Sequence, residues 1–382
     1  MTKKISLVVN DAGGGHQASG RALATAIAQY CPHWQTQEVD AYRDVLNFPA
    51  TYGYNLLLRL NWTAPFWPLL VPPFLWYKKL RQQVWLTKLR KYWQQQQPDL
   101  VVSLIPFINR ELYDSWQQVK PGAPFFILMT DLASDPPHFW LEPWEQQQNL
   151  FVICPTPKAI EQALNLGYPK SQLFSTSGVI LHPRFYEPLD SMDKIPVASS
   201  STFDRDRERQ ALGLDPNLTT GVVFFGGQGS KSMLRIAQRL STANLPLQLI
   251  FLCGKNQSLV EKLGGFPHSH AWIVEGFTHS VPYYLSLADF LIGKPGPASL
   301  SEAIACNLPV ITIYNSSTLW QERYNIEWVR EKQLGIVIEN WEEVDGAVAK
   351  LMQSQTMAYY QHNVGTIENR AIFEVLNILA KT

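Results

Sequence analysis

Residues 289–302 read DFLIGKPGPASLSE. A short apolar run of strand type gives way to Lys294-Pro295-Gly296-Pro297, after which the chain takes up helical spacing. A strand that turns sharply on Pro and Gly and leaves as a helix presents unpaired backbone amides and the positive end of a helix dipole. The amides of Ala298, Ser299 and Leu300 therefore suit a diphosphate, and Glu302, one turn on, suits ribose hydroxyls as an acceptor. The same grammar continues outward. Strand VITIY, residues 310–314, is followed by Gln321-Glu322, a polar pair fitted to sugar hydroxyls. Upstream, GVVFF runs into Gly226-Gly227-Gln228-Gly229-Ser230-Lys231, a second glycine-rich turn before a helix. Three such turns on successive strand ends predict one ligand cleft.

Short β-rich runs alternate with helical runs along the whole chain, the pattern of parallel sheets with crossover helices. Strands are expected at residues 5–9, 36–39, 100–104, 125–129 and 150–153, then at 222–225, 247–252, 272–274, 290–292, 310–313 and 336–338. The fold class is α/β, with two doubly wound Rossmann-like domains at residues 1–185 and 221–365. Residues 186–220, rich in Ser, Asp, Pro and charge, are expected to link them, and residues 366–382 to form a closing helix packed back on the first domain. Asp204-Arg205-Asp206 has the spacing of a metal-binding DxD but falls in this polar stretch and is expected to be solvated charge.

The first strand ends in Asn10-Asp11-Ala12-Gly13-Gly14-Gly15-His16, and a helical face of Leu23, Ala26, Ile27 and Tyr30 follows. Gly13, Gly15 and Ala18 fit a dinucleotide fingerprint, with Asp40 where a ribose-binding acid would sit. The turn also fits different chemistry. A histidine at a helix N-terminus is disfavoured as imidazolium, which keeps it neutral as a general base. A third possibility is purely structural, with glycines that make a turn and a histidine that caps it.

From these residues the chain resembles glycosyltransferase family 28, of the GT-B fold, and within it the monogalactosyldiacylglycerol synthase and processive diacylglycerol glucosyltransferase group. The stretches that carry the resemblance are DAGGGHQASGRAL, FFILMTDL, VICPT, LIFLCGKN, VEGF, KPGPASLSEAIACNLPVI, Gln321-Glu322 with Asn325, and NRAIFEVL, in the family's order from residue 11 to residue 376. The resemblance implies UDP on the second domain, with uracil near the backbone at Phe277 and ribose on Glu302. Diphosphate would lie at Gly227, Gln228, Gly229 and Ser230 and at Gly296, Ala298, Ser299 and Leu300, and the sugar at Gln321 and Glu322. It implies that His16, on the loop of Gly13, Gly14 and Gly15, faces the acceptor hydroxyl. Asp131, in Thr-Asp-Leu, would be a second acid/base group or one that orients the site. Transfer would be inverting and need no cofactor or metal, with donor and acceptor meeting in the interdomain cleft. The chain departs from the family on the acceptor half, where it has Ala133 to Trp140 in place of a His-Pro-aromatic segment and Gly178-Val179-Ile180 where a Gly-Leu/Ile-Pro is usual.

Composition narrows the partners. Lys+Arg and Asp+Glu both total 32, and charged residues are only 17% against 46% hydrophobic, so neither disorder nor bulk binding to nucleic acid is expected. That balance hides a local asymmetry. Residues 52–76 hold seven aromatics and one charge, and Lys78, Lys79, Arg81, Lys88, Arg90 and Lys91 follow with no acid among them. Pro65, Pro68, Pro72 and Pro73 are expected to break any helix there, which rules out a span across the bilayer. Leu80, Val84, Leu89, Tyr92 and Trp93 are expected to share one helical face. Aromatics beside a basic amphipathic helix suit an anionic membrane surface, so segment 52–93, with Trp62, Trp67 and Trp76, is expected to dock on one. Nine of the thirteen tryptophans precede residue 150, which suggests aromatic surface in that half.

The four cysteines are scattered without metal or disulfide spacing, and no signal peptide is expected at the N-terminus, so a cytoplasmic, peripherally membrane-bound protein is expected. The expected activity is transfer of a hexose from a UDP-sugar to a lipid hydroxyl, foremost diacylglycerol, to give a β-glycolipid. The alternatives are another acceptor, such as a polyprenyl-linked sugar or small hydrophobic alcohol, a non-catalytic nucleotide-sugar sensor of the same fold, and an NAD-type oxidoreductase.

Overall fold

A computed structural model describes residues 2–11, 14–48, 63–136, 138–144, 147–187 and 203–381. The chain divides into two compact units, with the change from one to the other at Pro183/Arg184 and a return at Asn369.

The first unit runs β1 (Lys4–Val9), α1 (Gly15–Tyr30), β2 (Gln35–Asp40), a π-helical turn (Ala41–Leu46), α2 (Thr63–Gln96), β3 (Leu100–Ser103), α3 (Asn109–Val119), β4 (Phe125–Leu128), β5 (Leu150–Cys154), α4 (Pro157–Asn165) and β6 (Leu173–Ser175). Its sheet is parallel, in the order β2-β1-β3-β4-β5-β6. Helices cover both faces, so the inner strands are apolar throughout and fully buried rather than alternating. β6 was not expected from the sequence. Its three residues, Leu-Phe-Ser, lie at the sheet edge, half-covered, and carry too little pattern to declare a strand.

The second unit runs α5 (Arg205–Ala211), β7 (Thr219–Phe224), α6 (Ser232–Thr242), β8 (Leu247–Leu252), α7 (Gln257–Gly264), β9 (Trp272–Glu275), α8 (Val281–Ser286), β10 (Phe290–Ile292), α9 (Pro297–Ala305), β11 (Val310–Ile313), α10 (Trp320–Glu331), β12 (Gly335–Ile338), α11 (Val344–Leu351) and α12 (Ser354–Gly365). The sheet order is β12-β11-β10-β7-β8-β9. Counted within the unit this is 6-5-4-1-2-3, the dinucleotide-binding order. Residues 203–218, which the sequence suggests as linker, are built into this unit. Asp204 caps α5 by accepting from the amides of Asp206 and Arg207, and Arg205 and Arg209 both pair with Asp289. Polarity misleads there because buried ion pairs absorb the charge.

The last helix, α13 (Ala371–Ala380), belongs to the first unit. Ser177 donates its amide and its hydroxyl to Glu374 and accepts from the Arg370 amide, while Asn369 donates to the Val179 carbonyl. A β-carbon at Gly178 would lie 2.8 Å from Asn369, so this close approach needs glycine.

α2 corrects the expectation about prolines. It passes through Pro65, Pro68, Pro72 and Pro73 in one continuous helix. Proline removes one N–H and crowds the carbonyl four residues back, but its fixed φ is itself helical. Pro65 falls in the first turn, where the amides have no intrahelical partner. The three prolines past the first turn, Pro68, Pro72 and Pro73, are offset by packing further along, because Val71 is buried and Phe74 and Tyr77 lie against Phe48 and Trp85. No helix among the described residues is long and apolar enough to cross a membrane.

Candidate active site

In open parallel sheets ligands bind beyond the strand ends at the point where the strand order reverses. In the first unit that point is between β1 and β3, and in the second between β7 and β10. Both glycine-rich turns and the Lys-Pro-Gly-Pro turn therefore stand at switch points.

Gly14 caps α1 with φ 84°, in the left-handed region, and a β-carbon on Gly14 or Gly15 would meet nothing within 4 Å. The loop is thus open above the helix start. Gly13 lies outside the described residues. His16, in the first turn of α1, places Nδ1 3.0 Å from the Thr130 hydroxyl, and the Trp140 ring lies 5.7 Å from its own. Burial lowers the imidazole to about pH 4, against a hydrogen bond to the Leu104 backbone that favours the charged form. Burial thus favours the neutral ring, which has a lone pair for a proton and binds it less tightly than an ordinary histidine would.

Asp131 stands beside this pair in a supporting position. Its carboxylate accepts from the Trp140 indole N–H at 2.7 Å, which orients the ring that packs on His16. Thr130 and Trp140 were missed by sequence reasoning. Thr130 was legible as the neighbour of Asp131 in Thr-Asp-Leu, whereas Trp140 is brought in by a nine-residue loop that has no periodicity. Asp40, the acid of the dinucleotide alternative, is buried and caps the π-helical turn by accepting from the Arg43 amide. It is spent on local structure.

The second unit holds the other predicted residues. A β-carbon on Gly227 would meet nothing within 4 Å, whereas one on Gly229 (φ 63°) would strike the Cys253 carbonyl at 2.5 Å. Gly227 faces open space, and Gly229 lets the turn pack against residues 253–255. The Gly229 amide is used inside the turn, donating to Gly226, and the Ser230 hydroxyl accepts from the Ser232 amide. Phe277 is half exposed, with the Lys255 ammonium 5.5 Å over its ring.

α9 has Pro297 at its first position, Gly296 as cap, no capping side chain and no acid in its first turn. Leu300 corrects the expectation of three available amides. Its N–H donates to the Gly296 carbonyl at 3.0 Å, closing the first helical turn, which leaves the Ala298 and Ser299 amides for a ligand. Glu302 has no ion-pair partner among the described residues, and burial pushes its carboxyl up to about 8. Glu322 is nearly covered and accepts from Lys294 at 2.7 Å, so one of its oxygens is engaged by the turn rather than free for a sugar. The same contact exposes Lys294 as a residue the sequence analysis passed over. It holds a cation near the start of α9, where a β-carbon on Gly296 would lie 3.7 Å from its Nζ. Gln321 keeps a buried, unpartnered carbonyl oxygen beside this pair in sequence, and Asn325 fixes the turn by donating to the Pro295 carbonyl.

The expected membrane residues part company. Trp62 lies outside the described residues, as does the side chain of Trp67. Lys78 is buried, 3.1 Å from Glu111 and 2.9 Å from Glu142, and donates to the Phe107 carbonyl. Lys88 turns inward to the Leu46 carbonyl, and Arg90 is half covered. Lys79, Arg81 and Lys91 are exposed. The face assigned to α2 also splits. Leu89 and Trp93 are buried, with Trp85, whereas Leu80 (64% exposed) and Val84 (38%) point the other way in line with Leu69 (66%) and Trp76 (68%). Most of the tryptophans in this half are core, since Trp85, Trp93, Trp116, Trp140 and Trp144 are buried and Trp76 alone of the described ones is strongly exposed.

Residues 221–366 match the glycosyltransferase family 28 C-terminal domain. The chain is 23% identical to a probable chloroplastic monogalactosyldiacylglycerol synthase 2 of Oryza sativa subsp. japonica, over 99% of this chain and 80% of the relative. It is similar in fold to the glycosyltransferase SnogD from Streptomyces nogalater, with a TM-score of 0.58, 14% identity and full coverage of both chains. Anabaena HepE, solved in complex with UDP-glucose, gives a TM-score of 0.56 at 14% identity over 99% of this chain and 98% of that one. The two sheets have the GT-B architecture.

Proposed function

We propose that this chain, a glycosyltransferase with a family 28 C-terminal domain, transfers a hexose from a UDP-sugar to a lipid hydroxyl, foremost that of diacylglycerol, and inverts the anomeric centre to give a β-glycolipid. The observation that carries this reading is His16, packed against Trp140 and held by Thr130 at the opening of a glycine turn, with burial favouring its neutral ring.

In the reaction, the acceptor hydroxyl oxygen bonds to the sugar C1 as the C1–phosphate oxygen bond breaks. The hydroxyl proton passes to His16, and UDP leaves with the bonding pair. Charge gathering on the diphosphate is met by the Ala298 and Ser299 amides, the Gly227 turn and the Lys294 ammonium, a preorganised electrostatic site. Glu302 accepts the ribose hydroxyls, the backbone at Phe277 takes the base, and Gln321 turns its unpartnered oxygen to the sugar.

Leu69, Trp76, Leu80 and Val84 form a stripe along α2 that is exposed among the described residues, flanked by Lys79, Arg81 and Lys91. An apolar stripe with cations beside it suits an anionic bilayer surface, where each nearby cation contributes about 1 kcal/mol. That is where a diacylglycerol acceptor is found.

Purified protein, a panel of UDP-galactose, UDP-glucose and UDP-N-acetylglucosamine, and diacylglycerol in neutral or anionic vesicles test the reading directly. A single glycolipid from one donor, formed faster on the anionic vesicles, is expected after lipid separation. No glycolipid with any donor sinks the lipid acceptor.

A further inference from the structure

The buried Lys78 is the feature of the first unit that neither the fold nor the proposed chemistry uses. A lysine in a dry site is costly unless paired, and this one is paired twice, with Glu111 on α3 and with Glu142 in the loop after β4. Its third contact is with the carbonyl of Phe107. Phe107 has φ 75°, a conformation rare for a bulky L-residue and retained only where surroundings over-determine it. Here the surroundings do so from both ends. The Phe107 amide donates to the Phe139 carbonyl at 2.7 Å, its ring lies 4.5 Å from that of Phe139, and its carbonyl is held by Lys78.

These contacts converge on one residue. Phe139 and Glu142 bracket Trp140, whose own carbonyl accepts from Asn109 at 3.1 Å. Trp140 is buried, gives its indole N–H to Asp131 and sets its ring against His16. Apart from the Trp140 contacts with Asp131 and His16 themselves and a Tyr168 hydroxyl that donates to the Glu142 carbonyl at 3.0 Å, the fastenings of residues 139–142 named here start from Lys78 or from the segment 107–109 that Lys78 pins.

We propose that Lys78 is a positioning residue for the transfer step, holding Phe107 and Glu142 so that Trp140 and Asp131 fix His16. The proposal rests on the reading of His16 as the acceptor-side base. It gives Lys78 a role opposite to that of Lys79 and Arg81, its neighbours on α2, which face outward. Helix α2 thus serves the surface on one face and the base on the other.

The test is a double-mutant cycle of Lys78→Met and Trp140→Phe, the second of which keeps an aromatic ring but removes the indole N–H. Each single variant is expected to lose about 10- to 100-fold in kcat, the scale of a misplaced catalytic group, with the KM for the UDP-sugar and the affinity for anionic vesicles unchanged. The double variant is expected to be little worse than either single, because both cut the same chain of contacts. In parallel, NMR titration of histidine-labelled protein, with His16 assigned by its loss in His16→Gln, is expected to show His16 moving up from about 4 towards its ordinary value in Lys78→Met. Wild-type kcat in Lys78→Met, additive losses in the cycle, or vesicle affinity falling in step with kcat would each overturn the proposal. If no donor and acceptor give product, the function reading has failed, and an unchanged His16 titration then overturns the relay separately. Should Lys78→Met not fold, Glu142→Gln, which keeps the side chain's shape, completes the same cycle with Trp140→Phe.

Discussion

The turn after β1 and the turn after β10 are built alike. Each leaves a parallel strand at a switch point, relies on glycine, and opens a helix without a capping side chain. Each also holds one ionisable group that burial makes neutral, and there the likeness ends. Burial lowers His16 to about 4 and raises Glu302 to about 8. Desolvation always opposes the charged form, so burial leaves an unprotonated imidazole in one unit, a weaker base than an ordinary histidine but one with a free lone pair, and a carboxyl that holds its proton more tightly in the other. The two turns differ in the sign of the group, and that decides their chemistry.

Replacing His16 is the severest way to break this comparison. In His16→Gln, the ring that receives the acceptor proton is gone while the donor turn is untouched. Loss of a general base costs about 10²- to 10⁴-fold, and the loss should fall on kcat with the donor KM unchanged. In the wild type, the acidic limb of the kcat/KM profile should lie near 4, set by His16, where an unperturbed histidine would place it at 6.5. A limb near 6.5 would show that the ring is solvated in the working enzyme.

How much of this was legible follows the same physics. Backbone-driven features were readable. Short apolar runs gave eleven of the twelve strands among the described residues, and the turns at Gly14, Gly227 and Pro297 declared themselves by residue type. Features that depend on where a side chain finds its partner were not. Lys78 and Lys79 are identical in sequence terms, yet one is buried against two carboxylates 33 and 64 residues away and the other is in water. Leu80 and Leu89 likewise suggested one apolar face, because α2 has apolar residues on two sides and periodicity cannot say which side meets the core. Leu300 was assigned an open amide because nothing in the sequence shows that the Gly296 carbonyl takes it.

Glu302 offers a gentler way to sharpen the contrast. Ribose hydroxyls donate, so they favour the carboxylate, and binding should expel the proton that burial retains. Donor affinity should therefore rise with pH towards 8 and level off above it, with proton release seen as a buffer-dependent heat in calorimetry. Glu302→Gln should weaken UDP binding by about 10- to 150-fold, the worth of a charged hydrogen bond at about 1.5–3 kcal/mol, and should abolish the buffer dependence. If heats do not depend on buffer, Glu302 binds the ribose as a neutral acid, and the two turns are more alike than argued above.

The smallest effect lies in stability, and there the two groups act on opposite limbs. Glu302 titrates near 4.5 unfolded and about 8 folded, so the folded state keeps a proton that the unfolded chain has lost. Its contribution is complete below 4.5 and fades as pH rises through 8. His16 titrates near 6.5 unfolded and about 4 folded, so its contribution is complete above 6.5 and fades as pH falls towards 4. Thermal melts of wild type against Glu302→Gln should therefore diverge by a few degrees as pH rises from 5 to 8.5, with the variant the more stable. Melts of wild type against His16→Gln should diverge instead as pH falls from 6.5 to 4.5. Divergence on the same side for both would mean that a neighbouring charge, not dryness, sets one of the two groups. The charge to examine would then be Lys294, which stands near the start of α9 with its own carboxylate, Glu322, already bound.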